Sequence, residues 1–321
     1  MRRIDVFNGD ADGLCALHQL RLAEPAESEL VTGVKRDIAL LERVTAGEGG
    51  AVTVLDVSLD KNRGALLRLL EAGAMVRYFD HHFPGDIPVH PRLEVHIDTA
   101  AEVCTSLLVD RHLGGRFRPW AVAAAFGDNL HASARQAAAP LGLDEDRLNT
   151  LRELGECLNY NGYGESLADL HFHPAELYRL VSGYADPFAF AAEEAAYARL
   201  RDGYREDMAQ AAALKPEAET AGGAVYLLPD APWSRRVSGV FANDLATAHP
   251  NRAHGVLSRR RDGAYTVSVR APLANPSGAD ELCRAFPTGG GRKGAAGINC
   301  LPADQLETFF ARFRAAYPDV I

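Results

Sequence analysis

Two carboxylates, one residue apart, interrupt the first apolar run of this chain. Residues 4–7 have the apolar, β-branched character of a short strand with one acid inside it. The run breaks at Asn8-Gly9, Asp10 and Asp12 follow, and after Gly13 residues 14–22 turn helical in character. Acids at the carboxyl end of a strand in an open α/β sheet sit where ligands bind. Two carboxylates this close repel each other and are best tolerated together when a cation neutralises them, which makes a hard, oxygen-seeking metal the first chemistry to consider. Taken alone, an Asp-x-Asp is ordinarily only a turn, because Asp and Gly are common turn formers. The pattern recurs, however. Residues 51–55, β-branched and buried in type, end on Asp56; residues 75–79 end on Asp80-His81-His82; and an apolar run at 123–126 leads into Gly127-Asp128.

The elements that would position these groups follow from periodicity. A second short strand is expected at 31–34, a helix at 38–44, a helix after Ser58 or Asp60 with Leu66, Leu67, Leu69 and Leu70 on its apolar face, and a further strand at 93–97 ending on Asp98. Strand and helix alternate, which predicts a mainly parallel sheet with right-handed crossovers. Parallel neighbours bring their carboxyl ends to one rim, so acids far apart in sequence converge there, and His81 and His82 add nitrogen ligands. Residues 130–212 read as mainly helical, with an Asn- and Gly-rich loop at 159–164 and one long Ala- and Glu-rich helix at 191–213. Residues 215–223 break the pattern. Beyond them come a strand at 225–228, a helix at 237–247, strands at 255–257 and 265–269, a glycine-rich loop at 289–299 and a last helix at 303–317.

At 321 residues the chain is comfortable for two domains. Its composition, 47% hydrophobic and 24% charged, is that of an ordinary soluble protein, and no apolar run approaches the ~20 residues of a membrane span. Arg2 and Arg3 are followed by too few apolar residues for a signal peptide. The five cysteines are scattered, odd in number and without a CxxC pair, which fits a reducing cytoplasm. The net charge of −9 is uneven: from Glu217 onward 12 basic and 10 acidic residues give +2, against −11 for the rest. An acidic first part argues against duplex DNA, whose binding needs many basic phosphate contacts, and suits a metal site. A mildly basic second part with arginine clusters suits a small anionic substrate.

The ordered set of Asp-x-Asp-Gly, a strand-end Asp, Asp-His-His, Gly-Asp and a late Gly-Gly-Gly-Arg with Ala-Ala-Gly beyond it resembles the DHH family of phosphoesterases with a C-terminal DHH-associated domain. It is most similar in kind to members acting on short oligoribonucleotides or phosphoadenosine. The resemblance covers nearly the whole chain. It implies a parallel-sheet α/β domain with a helical insertion over residues 1–190, a connecting helix and linker at 191–222, and a smaller α/β substrate-binding domain at 223–321, with an active-site cleft between the two. It also implies two divalent ions, manganese first and magnesium second. By motif, Asn8, Asp10 and Asp56 would hold one ion and Asp12, Asp56, His81 and Asp128 the other, so that Asp56 bridges. Two ions about 3.5–4 Å apart can clamp both ends of an in-line displacement by hydroxide. Asp80 would orient His81 or serve the site indirectly, and His82 would face the phosphate or the leaving group. Arg270, Gly289, Gly290, Gly291 and Arg292 would hold the nucleotide or its phosphate. The implied partners are a small nucleotide or short single-stranded oligonucleotide, with no duplex and no membrane, and with a homodimer among the assemblies allowed.

Two departures from the family pattern matter. Asn8 stands where many members carry His or Asp, and a neutral amide oxygen is a weaker ligand than either. The expectation is therefore a loose first metal position. Arg292 stands where a histidine is common; arginine grips a phosphate bidentately but donates no proton at neutral pH. These departures motivate a second reading, a nucleotide-binding or regulatory protein of weak turnover. Asp98, His131, His171 and His173 lie outside the matched motifs and read as structural, and the run Arg259-Arg260-Arg261 reads as a solvated face.

Overall fold

In the computed structural model, which describes residues 2–318, the chain divides into two compact units, Met1–Asp202 and Gly203–Ile321. The first unit opens with β1 (Arg3–Phe7), α1 (Ala11–Ala23) and β2 (Glu29–Val31). It continues through β3 (Ala51–Leu55), α2 (Leu59–Glu71), β4 (Met75–Asp80) and β5 (Leu93–Ile97). These strands form a five-stranded, all-parallel sheet in the order β2-β1-β3-β4-β5. Then follow α3 (Thr105–His112), α4 (Arg118–Gly127), α5 (His131–Ala138), α6 (Glu145–Gly162), α7 (Pro174–Val181) and α8 (Pro187–Glu193); α9 (Ala195–Ala212) spans the division.

The sheet is buried on both faces, as parallel sheets are. Ile4, Val6, Val52, Val54, Val76 and Tyr78 pack on one side with Leu59, Leu66 and Leu70 of α2 and its start. Phe7, Leu55 and Phe79 pack on the other with α1, α3, α4 and α6. Close approach of α4 and α6 depends on glycine: a Cβ on Gly155 would lie 1.9 Å from the Ala123 carbonyl oxygen.

Three local expectations are corrected. The helix expected at 38–44 is a single 3-10 turn, Leu40–Arg43. The Asn62 side chain accepts from the Leu41 N–H at 3.1 Å and donates to the Ile38 carbonyl at 2.6 Å, so those backbone groups go to a side chain rather than a helical ladder. The expected loop at 159–164 is instead largely the last turn of α6. Buried Asn161 there exchanges two 3.0 Å hydrogen bonds with the Phe172 backbone, and this tertiary pairing overrides the turn propensity. The long helix expected at 191–213 is two helices, broken at Glu194, whose carboxylate accepts from the Ala196 N–H at 3.2 Å and starts α9 afresh.

The second unit holds β6 (Ala218–Glu219), β7 (Gly223–Leu228), α10 (Pro232–Ala248), β8 (Ala253–Arg259), β9 (Tyr265–Arg270) and α11 (Ala279–Arg284). It ends with β10 (Gly289–Arg292), β11 (Ala295–Leu301) and α12 (Leu306–Ala316). The sheet order is β10-β11-β9-β8-β7-β6, antiparallel except for the β7–β8 pair, which α10 connects. Val225, Val267, Val269 and Ile298 pack against Phe309 and Phe313 of α12. The glycine-rich stretch at 289–299, expected as a loop, is therefore a β-hairpin. Glycine is depleted in strands, but here it is demanded: a Cβ on Gly289 would lie 1.7 Å from the Cys283 carbonyl. Among the described residues no helix is long and apolar enough to cross a membrane.

Candidate active site

The register of the first sheet sets the site. Phe7 pairs with Leu55 and Leu55 with Phe79, so β1 and β3 end level and β4 runs one residue further. The next residues in turn are Asn8, Asp56 and Asp80. The Asn8 N–H donates to the Leu55 carbonyl at 3.2 Å and the Asp56 N–H to the Phe79 carbonyl at 3.0 Å, which carries the ladder one residue past the strands. β2 lies on one side of β1 and β3 on the other, which makes the β1/β3 junction the topological switch point where open α/β sheets bind ligands. Asp56 is left-handed, with φ 56°, and so is Asn129 beside Asp128, with φ 61°. Asp and Asn tolerate this region better than other non-glycine residues, and such conformations cluster at functional sites.

Around this junction the acids converge. His81 Nε2 is 3.4 Å from Asp56 Oδ1 and 3.9 Å from Asp128 Oδ2. Ligand atoms of Asp12, His81 and Asp128 lie within 4.8 Å of one another, as do those of Asp56, His81 and His82. Asp128 arrives as the C-cap of α4. Asp12 stands in the first turn of α1 and its carboxylate accepts from the Thr105 N–H at 2.7 Å and the Ser106 N–H at 2.6 Å, at the start of α3. Asp10 caps α1 through Oδ1, which accepts from the Asp12 and Gly13 N–H groups at 3.0 and 3.1 Å. Asp80 Oδ1 accepts from the His81 backbone N–H at 2.9 Å and pairs with His82 Nδ1 at 2.7 Å. The Asp80 carboxylate thus meets the ring of His82, not that of His81.

Lys35 also belongs to this site, and nothing in its local sequence marked it. It follows β2 and directs its ammonium at Asp10 Oδ2 (2.6 Å) and Asp128 Oδ1 (3.1 Å). The signal would have been the excess of acids itself, which calls for a nearby base.

The electrostatics reflect this crowding. Burial pushes the Asp56 carboxyl well above the usual range, and Asp10, Asp12 and Asp128 add to the shift. Burial likewise raises Asp12, with Asp128 adding and His81 opposing. Burial also acts to raise Asp10, but Lys35 outweighs it and the net shift is downward. For Lys35 burial acts to lower the pKa, yet Asp10, with Tyr163 and Asp128, carries it well above the ordinary value. His82 is raised by its bond to Asp80, against burial and with help from Asp56.

The residues fit a divalent cation. Carboxylates whose charged forms are disfavoured by burial and mutual repulsion are relieved when a cation neutralises them. The donor set, carboxylate oxygens with imidazole nitrogen, suits manganese or magnesium, with the histidine favouring manganese. Asn8 Oδ1 and Asp80 Oδ2 are buried and lack a hydrogen-bond partner, and an unsatisfied buried acceptor costs roughly 1–3 kcal/mol. A cation in the adjoining cleft of about 260 Å³, which Asn8 lines with Asp10, Lys35, Asp56, His81 and Asp128, would offset that cost at Asn8.

In the second unit, Arg292 of β10 pairs with Ala295 of β11, and Ala295 pairs in turn with Arg270 of β9. Directly paired residues share a face, so Arg270 and Arg292 flank one small alanine on the same side of the sheet. Gly290, Gly297 and Ser268 form the adjacent row on that face. Arg270 is held by Asn243 Oδ1 at 2.6 Å. Gly289 and Gly291 fall on the opposite face by alternation, so of the glycines singled out only Gly290 stands in line with the arginines; a Cβ there would meet nothing within 4 Å.

No family model matches the chain, and no curated protein matches its sequence. Solved structures do match its fold. A manganese-bound exonuclease RecJ aligns with a TM-score of 0.65 at 20% identity, over 99% of this chain and 91% of that one. RecJ of Thermus thermophilus in complex with manganese aligns at 0.62 and 22% identity over 100% of this chain and 53% of that one, so this chain spans about half that protein's length. PggH, a pGpG-specific phosphodiesterase from Vibrio cholerae, aligns at 0.55 and 13% identity, over 98% of this chain and 99% of that one. The likeness is one of fold: a parallel five-stranded α/β unit and a second unit with its own sheet, as the motif resemblance implies.

Proposed function

We propose that this chain is a divalent-metal-dependent phosphoesterase that hydrolyses a nucleotide phosphate ester in the cytoplasm. Its substrate would be a short oligonucleotide, a dinucleotide or a 3'-phosphoadenosine-type compound. The observation that carries this reading is the meeting of Asp12, His81 and Asp128, from separate parts of the sequence, within 4.8 Å at the switch point. The manganese in the RecJ structures and the pGpG specificity of PggH lend support.

In this reading Asp12, Asp56, His81 and Asp128 hold a divalent ion, with manganese preferred and magnesium second. Asn8 and Asp10 belong with Asp56 to a second cationic position. The ion, when bound, supplies positive charge that stabilises the phosphoryl oxygens and activates water. The chain supplies the rest. Asp56 would contribute a carboxylate oxygen to both positions. Asp80 fixes the His82 ring through Nδ1, which leaves Nε2 to donate to the phosphate or the leaving oxygen. The bond to Asp80 raises the His82 pKa, which favours the protonated ring. Arg270 and Arg292, with Gly290 beside them and Gly289 and Gly291 shaping the hairpin, take the anionic end of the substrate. A homodimer is compatible with this reading.

The Lys35–Asp10 ion pair, with Asn8 and Arg292, favours a second reading, in which the chain binds a nucleotide with weak turnover. One assay separates the two. The chain is incubated with manganese and either bis-nitrophenyl phosphate or a panel of nucleotides and short oligomers, with products read by mass. Nitrophenol release that disappears in Asp56→Asn supports the enzyme. Tight nucleotide binding without product at any manganese concentration supports the binder and sinks the hydrolase.

A further inference from the structure

The ammonium of Lys35 sits among the rim acids as a cation would. Its nitrogen is 2.6 Å from Asp10 Oδ2, 3.1 Å from Asp128 Oδ1 and 3.1 Å from Asn159 Oδ1. An ammonium has three N–H donors, and three oxygens receive them. The Tyr163 ring centroid lies 5.5 Å from the nitrogen and adds a cation–π contact. The lysine backbone is fixed on both sides. Its N–H donates to the Gly162 carbonyl at 2.8 Å, and its carbonyl accepts from Asn8 Nδ2 at 3.4 Å. This is an anchored charge rather than a loose surface lysine.

The consequence falls on Asp10. One oxygen caps α1 and the other faces the Lys35 ammonium, whereas the Asp12 oxygens are held by neutral backbone amides. Asp10 belongs to neither group of side chains whose ligand atoms converge, whereas Asp12, Asp56, His81, His82 and Asp128 do. Asp128 divides its carboxylate: Oδ1 accepts from Lys35, while Oδ2 faces His81. A dication ligated by Asp10 would have to share an oxygen with the ammonium, against direct charge repulsion.

We infer that Lys35 occupies one of the two cationic positions of the rim, so that the chain binds a single divalent ion, held by Asp12, His81 and Asp128 with Asp56. This rests on reading the rim as a divalent-cation site. It replaces a second exchangeable ion with a charge the chain carries itself, and the neutral Asn8 is then the fitting neighbour, since an added carboxylate there would have no ion to hold.

Manganese counting tests this. Equilibrium dialysis with metal analysis on the wild-type chain should give one ion per chain, with the EPR spectrum of an isolated manganous ion. Lys35→Ala empties the position and leaves Asp10 Oδ2, Asp128 Oδ1 and Asn159 Oδ1 as a free oxygen set; it should bind two ions, with the broadened spectrum of a coupled pair. Lys35→Arg, which keeps the charge, should still bind one. Two ions per wild-type chain would overturn the inference and leave the metal-site reading standing. No ion at millimolar manganese would overturn both. A folded Lys35→Ala chain that binds one ion would also overturn it, and the wild-type count decides alone should that variant not fold.

Discussion

Asp56 combines a left-handed backbone with a carboxylate that burial and three neighbouring acids push toward protonation. The two properties separate by substitution. Asn tolerates the left-handed region and has the same shape, so Asp56→Asn should fold, with a metal-free melting temperature equal to or above that of the wild type because a disfavoured charge is gone. Its manganese-dependent phosphodiesterase activity should fall on the order of 10³-fold or more, as for other electrostatic stabilisers. Asp56→Ala should lose the same activity and, in addition, about 1–2 kcal/mol of stability for the backbone strain. Equal stability of the two variants in urea unfolding would sink the backbone half of this argument. At Asp80 the expected effect is smaller and is read on His82. Asp80→Asn keeps an acceptor for Nδ1 but removes the charge that raises the imidazole. The His82 titration, followed by NMR, should move to lower pH, and kcat should drop about 10- to 100-fold. At this scale the sequence reveals the candidate ligand types because acids and histidines recur at strand ends in order. It does not reveal Lys35, Asn159 or the Thr105 and Ser106 amides. These meet the acids only through tertiary contact, and a lone lysine after a short strand carries no local signature.

The helices decide whether those side chains stay in place. Asp128 caps α4, and α4 can approach α6 only because Gly155 lacks a Cβ, which would lie 1.9 Å from the Ala123 oxygen. Gly155→Ala should therefore cost about 1–3 kcal/mol, the usual range for overpacking, and weaken manganese binding by displacing Asp128. Gly239→Ala in α10, where nothing lies within 4 Å, should cost nothing and serves as the control. A second element-scale prediction concerns His18 of α1, buried edge-on against Trp120 at a centroid distance of 4.7 Å, with Nε2 2.8 Å from the Tyr184 carbonyl. Its Nδ1 has no hydrogen-bond partner, so a second proton would have nowhere to point. Burial depresses its pKa from 6.5 to about 4. The unfolded chain thus binds the proton first, and the stability is present above the unfolded value and lost as pH falls from there toward about 4. Between pH 7.5 and pH 5 this should remove roughly 2 kcal/mol, measured by urea unfolding, and His18→Gln should flatten the profile by about that amount. The alternation of strands and helices was legible because apolar periodicity reports it. The 3-10 turn at Leu40–Arg43 and the helical Asn161 were not, because Asn62 and Phe172, distant in sequence, claim the backbone and side-chain groups that local propensity would have assigned otherwise.

Charge is divided over the whole molecule: the acidic excess lies before Glu217, with the rim, and the mild basic excess lies after it, with the arginine face. Arg270 and Arg292 were recognisable as phosphate-binding candidates through the motif resemblance. Their shared face was not, since it follows from the pairing of both with Ala295, and the hairpin that creates the pairing is hidden by glycines that carry no strand propensity. The division of labour this suggests is testable by kinetics. Arg292→Ala should raise KM about 10-fold, or ~1.4 kcal/mol, for nucleotide substrates with a free terminal phosphate, with kcat within about two-fold, since such a contact holds ground state and transition state alike. Manganese affinity should stay unchanged, and so should turnover of bis-nitrophenyl phosphate, which has no terminal phosphate to hold. Arg292→Lys should recover only part of the loss, because an ammonium keeps the charge but not the planar, two-pronged grip. A uniform fall in kcat across all substrates would place Arg292 in the chemistry instead, and an unchanged KM across the panel would remove the arginine face from substrate binding altogether.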